Sequence, residues 1–226
     1  MSDTATTNPG PAAPVKVLVA SRNAKKLREL RRVLDAAGIS GIEPVGLDAV
    51  PEYPEEPETG ATFAENALIK ARSGAAATGL ACLADDSGLA VDALNGMPGV
   101  LSARWSGRHG DDEANNDLLL AQLGDVPDER RGAGFVSACA LVVPDGGART
   151  PAAETVTEGR WPGSVLRARQ GDGGFGYDPI FLPEGSERSA GELAPEEKDA
   201  ASHRGRALRA LVPALRALAA GEALPT

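Results

Sequence analysis

The feature that most constrains this chain is a switch of hydrophobic period near its start. Val15 to Ala20 is a β-branched and apolar run that stops at Ser21-Arg22-Asn23. From Ala24 to Ala37, Leu27, Leu30, Val33 and Leu34 then recur at helical spacing until Gly38. Strand, short polar loop and helix in direct succession predict a helix laid on a sheet face. Later segments extend the pattern. Ile42 to Val45 predicts a short strand that Pro44 confines to a sheet edge. Pro51, Pro54 and Pro57 argue against regular structure between Asp48 and Gly60. A helix is expected over Thr62 to Thr78, with Phe63, Ala67 and Ala71 on one face and Glu65 and Lys70 among its polar residues.

The middle of the chain is richer in strands. Ala81 to Ala84 reads as a short buried strand ending at Asp85-Asp86-Ser87-Gly88, and Leu89 to Leu94 as a second short run. Asp112 to Leu123 is expected to be helical with Leu118, Leu119 and Leu123 inward. Ala133 to Val143 is the clearest strand, turning through Pro144-Asp145-Gly146-Gly147 into a hairpin partner at Ala152 to Thr157. Glu158 to Pro162 and Arg169 to Tyr177 read as glycine-punctuated loops, and Pro179 to Leu182 as a short apolar run. Pro195 to Ala201 and Ser202 to Ala220 look helical, with Leu208, Leu211, Leu215 and Leu218 as the buried stripe and Pro213 as an interruption. The order predicts an α/β fold with a mixed sheet and helices on its faces. Residues 1–14 are expected to be a flexible extension, followed by one domain over 15–221.

Composition excludes several classes. The 226 residues carry a net charge of −9, so the chain lacks the basic footprint a nucleic-acid polymer requires. Gly 27 and Pro 17 are scattered among 42% hydrophobic residues, which argues against both collagen and wholesale disorder. Cys82 and Cys139 both lie in apolar runs and are expected to be buried thiols. No run approaches the roughly 20 apolar residues that span a bilayer. The expected setting is cytoplasmic, away from membranes.

Four constellations carry chemistry. Ser21-Arg22-Asn23-Ala24-Lys25-Lys26 places lysines at a helix start, where the dipole disfavours cations, so the cluster either holds an anion such as phosphate or is an ordinary cap. It matches neither the GxxxxGK[ST] loop nor GxGxxG. Asp85-Asp86-Ser87-Gly88 offers two adjacent carboxylates, of which one is expected to face a cation such as Mg²⁺; an exposed Asx turn is the alternative. Glu58 adds a carboxylate from a loop. In the segment from Gly171 to Pro179, Phe175 and Tyr177 either form a flat platform or plug the core, and Asp178 can accept from base N–H groups. Lys198, His203 and Arg204 supply donors at a helix start. With His109 and His203 the only histidines, a multi-histidine metal site is excluded, and the lack of GxSxG argues against a Ser87–His203 hydrolase pair.

In order along the chain, SRNAKKLRE (21–29), ETGATFAENALIKA (58–71), ADDSGL (84–89), PGVLSARWSG (98–107), GGFGYDPIF (173–181) and EEKDAASHRGRAL (196–208) together resemble the inosine triphosphate pyrophosphatase family. The resemblance implies an elongated central sheet, two lobes with the site in the cleft between them, and a homodimer. It implies Mg²⁺-dependent hydrolysis of ITP, dITP and XTP to the monophosphate and pyrophosphate. Ser21, Asn23 and Lys26 would contact the phosphate tail, within the substrate-binding stretch from Ser21 through Arg22, Asn23, Ala24 and Lys25 to Lys26. Asp86 would bind the metal and accept a proton, with Lys26 as its catalytic partner and Glu58 and Asp85 as further metal candidates. Ser87 would touch substrate, and Phe175, Gly176, Tyr177, Asp178, Lys198, His203 and Arg204 would line the base and sugar pocket. The family commonly has Gly where this chain has Arg22. A Maf-like pyrophosphatase for modified nucleotides and a non-enzymatic nucleotide-binding regulator are the alternatives. SHRG argues against the first, and the acidic set of Glu58, Asp85 and Asp86 against the second.

Overall fold

The computed structural model describes residues 13–145, 151–194, 197, 198 and 201–225. Its frame is a six-stranded mixed sheet of order β2-β1-β3-β4-β5-β6. The strands are β1 (Val15–Val19), β2 (Ile42–Val45), β3 (Ala81–Val91), β4 (Gly132–Pro144), β5 (Pro151–Val165) and β6 (Phe181–Pro183). β1 runs parallel to β2 and β3, whereas β3 to β6 pair antiparallel. β2 is the sheet edge, which suits Pro44 because its missing N–H faces no ladder.

Helices cover both faces. They are α1 (Ala24–Ala36), α2 (Phe63–Thr78), α3 (Asp112–Gln122), α4 (His203–Ala210) and α5 (Val212–Ala220). Leu30 and Leu34 of α1, Leu208 of α4 and Leu215 of α5 pack with Val17, Leu83 and Leu141 on one face. On the other, Phe63, Ala67, Ala71 and Ala75 of α2 meet Leu18, Cys82, Ala84 and Ala140. The alanine-rich stripe lets α2 lie close to the strands, and Thr62 caps it by accepting from Glu65 N at 3.1 Å. The long arms of β3, β4 and β5 carry a third cluster, with Leu89, Phe135 and Trp161, joined by Phe181 of β6, packed with Leu119 of α3 and Leu123 at its C-cap. Cys82 and Cys139 are buried and unbridged, and burial pushes both thiols up, Cys82 to about 12.

Several expectations need correction. The two short runs around Asp85 to Gly88 are one eleven-residue strand, because β4 pairs with it continuously from Cys82↔Val142 to Val91↔Ala133. Long-range pairing overrides the local turn preference of DDSG. Glu158 to Pro162 is likewise strand, not loop: β5 continues to Val165. Gly159 fits there because a Cβ would stand 2.1 Å from His203 O, so its absence lets α4 sit against the strand. Of the three leucines placed inward on α3, Leu119 and Leu123 are buried but Leu118 is exposed, about 100° round the helix from Leu119. The last helix, by contrast, is interrupted as expected: it breaks at Leu211, with Pro213 in the first turn of α5. Most of the expected N-terminal extension, part of the Pro144 to Gly147 turn and most of Pro195 to Ala201 lie outside the described residues.

Candidate active site

Strand alternation explains how two adjacent aspartates do different work. Successive side chains of β3 point to opposite faces. Leu83 faces α1, α4 and α5, so Asp85 does too, while Asp86 faces α2 with Ala84.

Asp85 is buried, and its Oδ2 lies 2.8 Å from Lys26 Nζ on α1 and 3.2 Å from Arg204 Nε on α4. Arg204 also pairs with Glu29, and burial lowers its guanidinium to about 10, so it stays charged near neutrality. This ion network fixes the start of α4 against α1, and Lys26 stays partly exposed at its edge.

Asp86 belongs to a second group. Its Oδ1 is 3.0 Å from Lys70 Nζ, and its Oδ2 accepts from Asn66 Nδ2 at 3.2 Å. Lys70 Nζ is also 3.0 Å from Glu58 Oε1. Asn66 Oδ1 accepts from Gly60 N at 2.8 Å, which ties the loop carrying Glu58 to α2. Burial raises the Asp86 carboxyl above its ordinary range, Lys70 opposes that and Glu58 adds to it. Sequence reading missed Asn66 and Lys70 as site residues. Their signal was the four-residue spacing that puts both on one turn-to-turn face of α2.

Next to Glu58 and Lys70 lies a cavity of about 750 Å³. Its wall includes Arg22, Lys70, Arg104 and His109 as well as Glu55 and Glu58. Arg22 Nε pairs with Glu55 at 3.3 Å on the exposed rim. Ser21 Oγ accepts from Asn23 N at 3.2 Å, and Asn23 caps α1 by accepting from Lys25 N at 2.9 Å. No acid stands in the first turn of α1, so its N-terminal N–H groups and Lys26 form a cationic corner.

The loop expected to form an aromatic platform does two separate jobs. Tyr177 is buried, and its hydroxyl donates to Ser102 O at 2.8 Å; Phe175 is 67% exposed, with Lys198 Nζ 4.4 Å from its ring centre. Asp178 is buried, pairs with Lys198 and accepts from Phe175 N at 2.7 Å. Gly174, at φ +81°, admits that carboxylate where a Cβ would collide with it. Gly176 N donates to Asp112 Oδ2 at 2.7 Å and Gly176 O accepts from Asn116 Nδ2 at 2.9 Å, which anchors the loop to α3. His203 stacks on Phe135 at 5.1 Å between ring centres. Burial, helped by Lys198 and Lys26, lowers the imidazole to about 3, so it is neutral and its buried Nδ1 has no partner among the described residues.

Glu58 and Asp86 sharing one ammonium is an oxygen set of the kind a hard divalent cation takes, with its remaining positions filled by water or phosphate. Among the described residues no three His, Cys, Asp or Glu converge on one point as a complete protein cage. Asp85 is turned away, into its own pair with Lys26.

The sequence profile of the Ham1 family matches residues 17–214. A Nocardia farcinica protein named dITP/XTP pyrophosphatase is 72% identical over 204 residues, covering 90% of this chain and 96% of that protein. The crystal structure of a nucleoside-triphosphatase, dITP/XTP pyrophosphatase, from Mycobacterium abscessus is 70% identical with a TM-score of 0.75, covering 89% of this chain and 100% of that one. A HAM1 protein structure from Coxiella burnetii is 40% identical with a TM-score of 0.76, covering 88% and 96%.

Proposed function

The chain belongs to the Ham1 family, and from that premise we infer that it is a nucleoside triphosphate pyrophosphatase. It hydrolyses non-standard purine nucleoside triphosphates, dITP and XTP among them, and so belongs to nucleotide-pool metabolism. The products are the monophosphate and pyrophosphate. The observation in the site that supports this most is Glu58 and Asp86 flanking the Lys70 ammonium, each at 3.0 Å, beside a cavity large enough for a nucleotide.

In this reading Glu58 and Asp86 would hold Mg²⁺, which would supply neutralisation of phosphate charge and polarisation of the scissile anhydride. Asp86 takes the proton of the attacking water. Asn66 fixes the rotation of that carboxylate, and Lys70 moves from the carboxylates to the phosphate oxygens. The N–H groups at the start of α1, with Ser21, Asn23 and Lys26, receive the phosphate tail and stabilise charge as the anhydride breaks. At the other end Phe175 stacks on the purine, Asp178, Lys198 and His203 address its edge and the sugar, and Arg204, held by Asp85 and Glu29, supports the start of α4 behind them.

The buried, unpartnered Nδ1 of a neutral, half-buried His203 supports that placement, because a buried polar atom requires a partner and a bound base provides one. A 6-oxo purine accepts from a donor at this edge. Adenine presents an amino group instead and leaves polar groups unpaired. Steady-state kinetics with XTP, dITP and ATP test the reading: kcat/KM for the first two should exceed that for ATP by more than about 100-fold, since one unpaired buried donor is worth roughly that factor or more. Equal values would end it. No helix among the described residues is long and apolar enough to cross a membrane. Residues 15–221 acting as one unit, assembled as a homodimer in the cytoplasm, completes the proposal, and light scattering tests its assembly.

A further inference from the structure

The exposed ring of Phe175 is held lightly by its surroundings, with the Lys198 ammonium 4.4 Å from its centre. Such a ring can serve as a stacking face only if the backbone beneath it is fixed. That backbone starts out loose. Gly174 and Gly176 flank Phe175 at φ +81° and +61°, and glycine gives up more conformational entropy on ordering than any other residue. At Gly176 a Cβ would meet no atom within 4 Å, so the glycine is there for the left-handed turn and not for a close approach.

Hydrogen bonds supply what packing does not. On one side of the ring, Phe175 N donates to Asp178 Oδ2 at 2.7 Å. On the other, a single helix takes both backbone polar groups of Gly176: its N–H donates to Asp112 Oδ2 at 2.7 Å, and its carbonyl accepts from Asn116 Nδ2 at 2.9 Å. Asp112 and Asn116 stand one turn apart on α3, so their side chains share a face and close on one residue of the loop. Where the loop begins, Arg169 pairs with Glu113 at 3.0 Å and Asp117 at 2.9 Å, the next residue along from each. The polar face of α3 is therefore bound to both ends of the loop, while Leu119 roots the helix in the core.

We propose that Asp112 and Asn116 are positioning residues of the purine site, whose clamp on Gly176 sets where the Phe175 ring stands and so how tightly a purine stacks on it. The inference rests on the reading above that the purine lies on Phe175. Neither residue touches the substrate, and both act through the ring. A clamp of this kind cannot lose more affinity than the ring supplies, about fivefold to a hundredfold for one base on one aromatic face.

Calorimetry of inosine monophosphate and, separately, of inorganic pyrophosphate with Mg²⁺ reads the two ends of the site apart. Asp112→Ala and Asn116→Leu should each weaken the monophosphate by about threefold or more, but no further than Phe175→Ala does, with pyrophosphate affinity within about twofold of wild type. Asp112→Asn, which keeps an acceptor oxygen for Gly176 N, should recover most of the loss. In the Phe175→Ala background, Asp112→Ala should add less than about twofold, since no ring remains to be placed. If Asp112→Ala does not fold, Asn116→Leu carries the same cycle through the other bond. A full additive loss in that background, or equal losses at both ends of the site, makes the pair a strut of the fold and overturns the proposal. So does a monophosphate affinity that the single variants leave unchanged. Phe175→Ala binding the monophosphate like wild type takes the purine off the ring, and the clamp's role goes with it. A wild type that passes every binding test but leaves XTP and dITP intact would sink the function and leave the clamp standing.

Discussion

Replacing Asp86 by Asn separates what its carboxylate does for the reaction from what it does for the fold. The amide keeps the shape and one oxygen, so Asn66 Nδ2 retains an acceptor near 3.2 Å, while Lys70 loses one of two carboxylates and keeps Glu58 at 3.0 Å. In the metal-free protein, burial is the largest influence on the Asp86 carboxyl and raises it, against the pull of Lys70. A carboxyl raised in the folded state holds its proton more tightly there than in the unfolded chain. Stability therefore falls as pH rises from the ordinary carboxylate range through the folded value, and the ionised group costs stability above it. Asn removes that cost and also removes the attraction of Lys70, two changes of opposite sign. Their sum should stay within about 1 kcal/mol, which moves Tm by less than about 4 °C in a chain of this size. Catalysis has no such compensation. Loss of a general base slows turnover by about 10² to 10⁴, or roughly 3 to 5 kcal/mol in the barrier. The assay is kcat on XTP or dITP beside a melting curve in EDTA. A kcat/KM within about threefold of wild type would refute the role of Asp86 in the chemistry, and a Tm loss above about 10 °C would make it a strut of the fold instead.

The neighbouring aspartate should behave in the opposite sense. Asp85→Asn strips the buried partner from Lys26 and Arg204 and should cost about 3 to 5 kcal/mol, a Tm drop on the order of 6 to 20 °C; a loss under about 3 °C would show the network to be dispensable. Phe175→Ala removes an exposed ring, so Tm should hold within about 2 °C while KM for XTP rises roughly fivefold or more through lost stacking; an unchanged KM contradicts its place on the purine. His203, lowered to about 3, resists protonation in the folded state, so its contribution to stability is lost as pH falls from about 6.5 toward 3, by up to about 1.4 kcal/mol per unit. Urea unfolding of His203→Gln should therefore show a flatter acid limb than wild type, and parallel limbs would mean that the imidazole is accessible to protons.

How much of this was legible in the sequence differs from element to element. β1 and α1 could be read because period, cap and terminator agree over Val15 to Gly38. α2 was equally plain, since Thr62 and Glu65 mark its start and Gly79 ends it. What escaped was decided by partners far along the chain. Asp85 to Gly88 carries every local signal of a turn, and only the length of β4 stretches it into strand. The glycines at 159 and 163 look like loop punctuation, but they are places where α4 and β6 come too close for a side chain. The same limit applies to the site. The sequence named both aspartates, but strand alternation alone could not say which would meet Lys26 and which Lys70, because that depends on which helix covers which face. Lys70 itself looked like one more polar residue on α2 until the sheet set Asp86 beneath it.

The central claim is cleavage that releases pyrophosphate from a non-standard purine triphosphate. Its most direct test is ion-exchange separation of the products formed from dITP and XTP with Mg²⁺, with no added pyrophosphatase. The expected chromatogram holds nucleoside monophosphate and pyrophosphate in equal amounts from the first time point. Nucleoside diphosphate with orthophosphate as the primary pair would contradict the account.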